Sequence, residues 1–357
     1  MKFLVYSQYS EPITNRHSKI KNRRNLMTET FRALIIEKNE PKTFTRHVGE
    51  RSMNDLPEGD LIIKVQFSSL NYKDALSAIG NPGVSRNFPH TPGIDAAGTV
   101  VNDSDGFKAG DEVIVTGYDL GMNTSGGYGE FIRIPSKWAI HKPESLTLRE
   151  AMILGTAGFT AAQSVDALET AGVKPEDGPI AVTGATGGVG SVAVAILAKR
   201  GYTIHAYSGK ADAAGFLTNL GAAEVKHRDE MNDDSGRPML RETFAGAVDT
   251  VGGNPLSTLL KQIKYGGAVT CCGLVAGGSF ESSVFPFILR GVSLLGIDSV
   301  EAPLAEKQRI WDRLAADYML DNLEELSREI GLDGLSDEID TILKGGQTGR
   351  ILVNLAL

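Results

Sequence analysis

The sequence predicts an α/β protein in which a doubly wound parallel sheet follows a β-rich domain. Three observations carry this: a change of hydrophobic period near residue 148, six short apolar strands separated by helical stretches after it, and short β-rich segments broken by Gly and Pro before it. The chain has 357 residues, and single cores stop growing at roughly 250 to 300 residues, so about two domains are expected.

Residues 1–26 are expected to stand apart as a disordered leader or an upstream start. Lys2, Arg16, Lys19, Lys21, Arg23 and Arg24 face one acid, Glu11, with no apolar periodicity. A transit peptide or a functional tail is the alternative, and Met27 is a second plausible beginning. The segment from 31 to about 143 holds FRALII, DLIIKVQFSSL, AGTVV, DEVIVTG and GEFIRI, which read as an antiparallel barrel or sandwich. Residues 27–147, joined by a tail at 300–357, are assigned to this domain. From Leu148 a small-residue helix begins, and strands are expected at 180–183, 203–207, 223–226, 247–250, 268–272 and 292–297. This nucleotide-binding layout spans 148–299. The tail reads as a charged helix over 303–320, a further helical segment and a closing strand, ILVNL, that returns to the first domain.

Charge and composition exclude several functions. A net charge of −8 leaves no basic footprint for nucleic acid. No apolar run reaches the roughly 18 to 20 residues that span a bilayer, so no membrane is expected as a partner. The two cysteines, Cys271 and Cys272, are adjacent within a strand read as buried, which leaves no disulfide framework or structural zinc set and fits a cytoplasmic protein.

The stretch PIAVTGATGGVGSVAVAILAKRGY places Ala185, Gly187 and Gly190 at three fingerprint positions between a strand and a helix. Gly187 lets backbone approach a pyrophosphate, Gly190 lets helix pack on strand, and the helix N-terminus offers free N–H groups. This is the Rossmann dinucleotide turn. At the end of the second strand, where an NAD enzyme carries Asp or Glu, stand Ser208, Gly209 and Lys210, which suit a 2′-phosphate and hence NADPH. Arg228 after the third strand adds a second cation. For Lys210 and Arg228 the alternative is an ordinary solvated side chain.

A dehydrogenase must also handle charge on its substrate. Asp95 in PGIDAAG has no His before it, and no Cys precedes position 271, so a Cys/His catalytic zinc cannot assemble in the first domain. No Tyr has a Lys four residues later. Polarisation is left to hydrogen-bond donors.

Together SSLNYKDAL, RNFPHTPGIDAAGTV, GTAGFTA, VTGATGGVGS, the Ser208–Lys210 turn, AVDTVGG, YGGAVTCCGL, FPFILRGVSLLGIDSV and GRILV cover about residues 31–353. In these the chain resembles the acrylyl-CoA reductases, the zinc-free, quinone-oxidoreductase-like branch of the medium-chain dehydrogenases. The resemblance implies a GroES-like catalytic domain beside the Rossmann domain, and NADPH-dependent reduction of an α,β-unsaturated acyl thioester, acrylyl-CoA to propanoyl-CoA. A quinone or enal reductase and a non-catalytic NADPH-binding protein are the alternatives. It implies cofactor contacts at Tyr72, Thr186, Gly187, Gly188, Val189, Ser208, Gly209, Lys210, Arg228, Leu274, Ile288, Ser299 and Arg350, the last binding phosphate from the smaller domain, and a homodimer. Tyr72 is the expected donor to the enolate, with Asn71 and Asp74 supporting its loop as the remaining members of the catalytic group. Arg86 is the candidate for an anionic CoA phosphate.

Overall fold

The computed structural model describes residues 30–40, 42–321 and 323–357, so the expected leader lies outside the described residues. Strands β1 (Thr30–Asn39) and β2 (Thr43–Ser52) form an antiparallel hairpin. After them come β3 (Leu61–Ser69), helix α1 (Tyr72–Ala78), β4 (Asp95–Val100), β5 (Glu112–Thr116), β6 (Phe131–Ile134) and β7 (Ala139–His141). Alternation along β3 puts Leu61, Ile63 and Val65 into one core with Ala96, Val113, Val115, Ile132 and Ile134.

Helix α2 (Leu148–Thr170) opens on a capping box, Thr147 with Glu150, and crosses into the second domain. Next come β8 (Ile180–Val182), α3 (Gly188–Lys199), β9 (Ile204–Ser208), α4 (Ala213–Asn219), β10 (Glu224–His227) and β11 (Phe244–Asp249). The domain continues with α5 (Gly253–Gln262), β12 (Ile263–Cys271), α6 (Phe285–Arg290) and β13 (Ser293–Gly296). The six strands are parallel in the order β10-β9-β8-β11-β12-β13, the doubly wound arrangement expected. Strands β11 and β12 begin earlier than the expected 247 and 268, and β12 carries Gly266 and Gly267 within it. The order reverses between β8 and β11. There Thr183 Oγ1 donates to Asp249 Oδ1 at 2.7 Å, and Thr250 Oγ1 donates to Thr183 O at 2.8 Å, which fixes the crevice.

In the tail, α7 (Leu304–Leu314) lies on α2 and buries Ile310, Trp311 and Leu314, Trp311 stacking near Phe159 with ring centres 6.4 Å apart. Strand β14 (Ser327–Ile330), α8 (Leu335–Leu343) and β15 (Arg350–Asn354) follow. Strand β15 pairs with β3 and β14, so the closing strand does return to the first domain, in a sheet ordered β14-β15-β3-β4-β5-β7 with β6 alongside β3. Among the described residues no helix is long and apolar enough to cross a membrane.

Candidate active site

The phosphate turn leaves the carboxyl end of β8. A Cβ on Gly190 would fall 2.4 Å from Gly184 O, so only glycine lets α3 sit this close to the turn. The amides of Gly188, Val189 and Gly190 have no backbone acceptor among the described residues. Free amides at the positive end of a helix suit a pyrophosphate.

At the end of β9, Ser208 is buried, with its Oγ 3.2 Å from Thr186 Oγ1 and accepting from the Lys210 amide at 3.1 Å. The Arg228 side chain packs over Gly209 and stays largely exposed, its nearest acid being Asp229 at 3.9 Å. Lys210 is half-buried, which pushes its ammonium below the usual lysine range, and Asp212 opposes that shift. Its Nζ donates to Gln347 O and to Thr348 Oγ1, the latter at 3.0 Å. A hydroxyl and two cations around one strand end fit a ribose 2′-phosphate, and no carboxylate occupies the second-strand terminus.

The NYKD turn faces this from the first domain. Asp74 is fully buried and accepts from Asn71 N (2.8 Å), Ile94 N (2.8 Å), Gly93 N (3.2 Å) and the Tyr128 hydroxyl (3.0 Å). Burial and the neighbouring Asp95 carboxylate push its carboxyl up to about 7, against four donors that favour the charged form. Tyr72, the first residue of α1, stands 39% exposed on the turn so anchored. Asn71 and Asp74, grouped with Tyr72 as catalytic, are buried, and their contacts hold the turn in place.

A buried cluster lies behind Tyr72. Asp95 accepts from Ser69 Oγ (2.5 Å), Asn71 Nδ2 (2.8 Å), Thr156 N (2.9 Å) and Thr156 Oγ1 (2.5 Å), so its buried oxygens have hydrogen-bond donors. Gly155 makes room for this. It breaks α2 at φ 53°, and a Cβ there would fall 2.5 Å from both Asp95 Oδ2 and Ser69 Oγ. Among the described residues no group of three His, Cys, Asp or Glu side chains is placed to hold a metal.

Arg350, expected to bind phosphate from the smaller domain, lies buried between the two turns. Its guanidinium is 1% exposed and is occupied by protein acceptors: Nε by Ile153 O (2.9 Å), Nη1 by Leu70 O (3.2 Å) and Asn71 Oδ1 (3.3 Å), and Nη2 by Ser69 Oγ (2.9 Å). It is an inter-domain tie. Its Nη1 also packs against Gly188, 2.9 Å from where a Cβ would stand, so one residue touches both the phosphate turn and the NYKD turn.

Lys307, which ties the tail helix to the end of β5, is buried although it sits on a helix read as charged. Its Nζ donates to Thr116 O (2.5 Å) and Val300 O (3.2 Å) and lies 3.5 Å above the Tyr118 ring. Desolvation lowers it to about 8. Of the remaining expected residues, Ser299 is half-buried beside Gly117, while Leu274 and Ile288 are 65% and 69% exposed. Arg86 is exposed, and its Nε donates to Pro82 O at 3.0 Å. Sequence reasoning missed Ser69, Tyr128, Gly155, Thr156 and Lys307; the one available signal was GTAGFTA, whose glycine sits amid helix formers.

Comparison with known proteins agrees with this geometry. The alcohol dehydrogenase GroES-like domain family matches residues 57–144, and the zinc-binding dehydrogenase family matches 188–316. The acrylyl-CoA reductase AcuI of Ruegeria pomeroyi is 46% identical over 327 residues, covering 91% of this chain and 99% of its own. The chain belongs to the acrylyl-CoA reductase family. This quinone-oxidoreductase-like group of medium-chain oxidoreductases includes solved relatives. The yhdH oxidoreductase of Salmonella enterica, solved in complex with NADP, superposes with a TM-score of 0.88 at 43% identity, covering 91% of this chain and 99% of its own. The Bacillus subtilis protein yhfP, solved with NAD bound, superposes at 0.89 with 44% identity, covering 92% and 100%. The expected two-domain fold and oxidoreductase class of this acrylyl-CoA reductase family member therefore stand.

Proposed function

We propose that the protein reduces the C=C bond of an α,β-unsaturated acyl thioester with NADPH, acrylyl-CoA to propanoyl-CoA being the preferred reaction. The observation that carries the reading is Arg350, which packs against Gly188 of the phosphate turn and donates to Asn71 beside Tyr72, so that free amides, the second-strand end bearing Ser208 and Lys210, and the turn presenting the Tyr72 phenol belong to one connected region. Thr186, Gly187, Gly188, Val189, Ser208, Gly209, Lys210 and Arg228 would hold the cofactor's phosphates, with Leu274, Ile288 and Ser299 along the carboxyl edge of the sheet.

When bound, NADPH supplies the hydride for the β-carbon. Tyr72 donates a hydrogen bond to the thioester oxygen, where negative charge develops as the enolate forms. Asn71 and Asp74 orient that phenol, and the α-carbon then takes a proton. Arg86 is the side chain we assign to a CoA phosphate. The same reading makes the enzyme cytoplasmic and a homodimer through the open edge of β13, beside the exposed Leu274, Val275 and Ile288.

NADPH oxidation measured with acrylyl-CoA, longer enoyl-CoA thioesters, acrolein and a benzoquinone tests the reading. Fastest turnover with acrylyl-CoA is expected. Fastest turnover with the quinone would move the protein to the quinone reductases, and NADPH binding without any turnover would make it a non-catalytic binder.

A further inference from the structure

The C-terminal loop 345–349 belongs to neither expected half of the cofactor site, yet it docks on both. Its Gly349 amide donates to Thr186 O at 2.9 Å, which ties it to the phosphate turn. Its Gln347 carbonyl and Thr348 hydroxyl both accept from Lys210 Nζ, 138 positions away in the case of Thr348. Gln347 is itself buried, held by a bond from its Nε2 to Gly349 O at 3.1 Å, while its Oε1 has no partner among the described residues.

A lysine ammonium on a flexible four-carbon stem is a poor selector unless something holds it, because its rotamer freedom must be lost on binding. Two acceptors on a docked loop remove that freedom in advance. An ammonium has three donors. Two are used by the loop, and the third remains for an anion beside Ser208 and Arg228.

We propose that Thr348, with the Gln347 carbonyl, is a specificity-determining clamp that fixes Lys210 for the 2′-phosphate, so that preference for NADPH over NADH is set in part by the C-terminal loop. The inference rests on NADPH being the cofactor. Thr348 acts as a positioning residue through Lys210.

The test is equilibrium titration of the full-length protein with NADPH and with NADH, followed by nicotinamide fluorescence, for wild type, T348V, T348S, K210A and the T348V/K210A double variant. The clamp predicts that T348V weakens NADPH by roughly 10-fold while NADH changes by less than about 2-fold, and that T348S restores most of the loss. It also predicts that the double variant binds NADPH no worse than K210A alone, since Thr348 acts only through Lys210. Equal weakening of both nucleotides, no weakening of NADPH, or additive losses in the double variant would overturn it. A wild type without NADPH preference would remove the cofactor reading along with the clamp. A wild type that prefers NADPH, with T348V unchanged, would remove the clamp alone.

Discussion

Arg350 Nη1 donates to Asn71 Oδ1 at 3.3 Å while packing against Gly188, so the turn that presents Tyr72 and the turn that faces a pyrophosphate are held by one buried guanidinium. Strand β15 contributes this residue from the far end of the chain, and it closes the first-domain sheet against β3. Site geometry and domain packing thus depend on the same contacts.

Gly155→Ala tests that dependence. The substitution puts a methyl group 2.5 Å from Asp95 Oδ2 and Ser69 Oγ at a φ of 53° that L-residues rarely adopt. A loss of about 2–4 kcal/mol is expected, read as a lower urea midpoint, together with a fall in turnover. An unchanged midpoint would show that the cluster under α2 relaxes freely.

Much of the fold was legible and much of this cluster was not. Strands β8 to β13 announce themselves because runs such as Ile180–Val182 are buried on both faces and alternate with helices, and Ser208 and Lys210 are found by their distance from the glycine turn. Asp95, Ser69, Thr156 and Arg350 meet across separations of 26 to 281 residues, which no local period records. Gly155 sits among helix-favouring neighbours and reads as helix. Lys307 lies on a helix with Glu306 and Arg309, where a lysine reads as solvated, and only the packing of α7 shows its Nζ enclosed by Thr116 O, Val300 O and the Tyr118 ring.

Asp74 gives a pH signature. Its carboxyl is raised from the ordinary 3.8 to about 7 in the folded protein, chiefly by desolvation and then by Asp95. Between those values the folded state binds more protons than the unfolded chain, so its contribution to stability is fully present below 3.8 and is lost as pH rises towards 7. Asp74→Asn should flatten the decline in unfolding free energy between about pH 5 and about pH 7. It should also lower stability by about 1–3 kcal/mol, since an amide NH₂ replaces an acceptor facing donors. Urea unfolding across that range checks both, and a variant retaining the wild-type slope would contradict the assignment.

Tyr72→Phe removes the exposed hydroxyl and leaves the Asn71–Asp74 anchor in place. Turnover of acrylyl-CoA should fall by roughly 100-fold, the scale of losing one donor to a developing oxyanion. Single-turnover NADPH oxidation separates this from slower product release. An unchanged rate would take Tyr72 out of the chemistry and leave it packing against the nicotinamide.

Quantifying propanoyl-CoA from acrylyl-CoA, with NADPH and with NADH as alternative donors, addresses the central claim most directly. The expected result is one propanoyl-CoA per NADPH consumed, with kcat/KM lower by at least about 10-fold when NADH replaces it, as loss of a charged hydrogen-bonded phosphate contact predicts. Absence of propanoyl-CoA, or equal kcat/KM with the two nucleotides, would contradict the account.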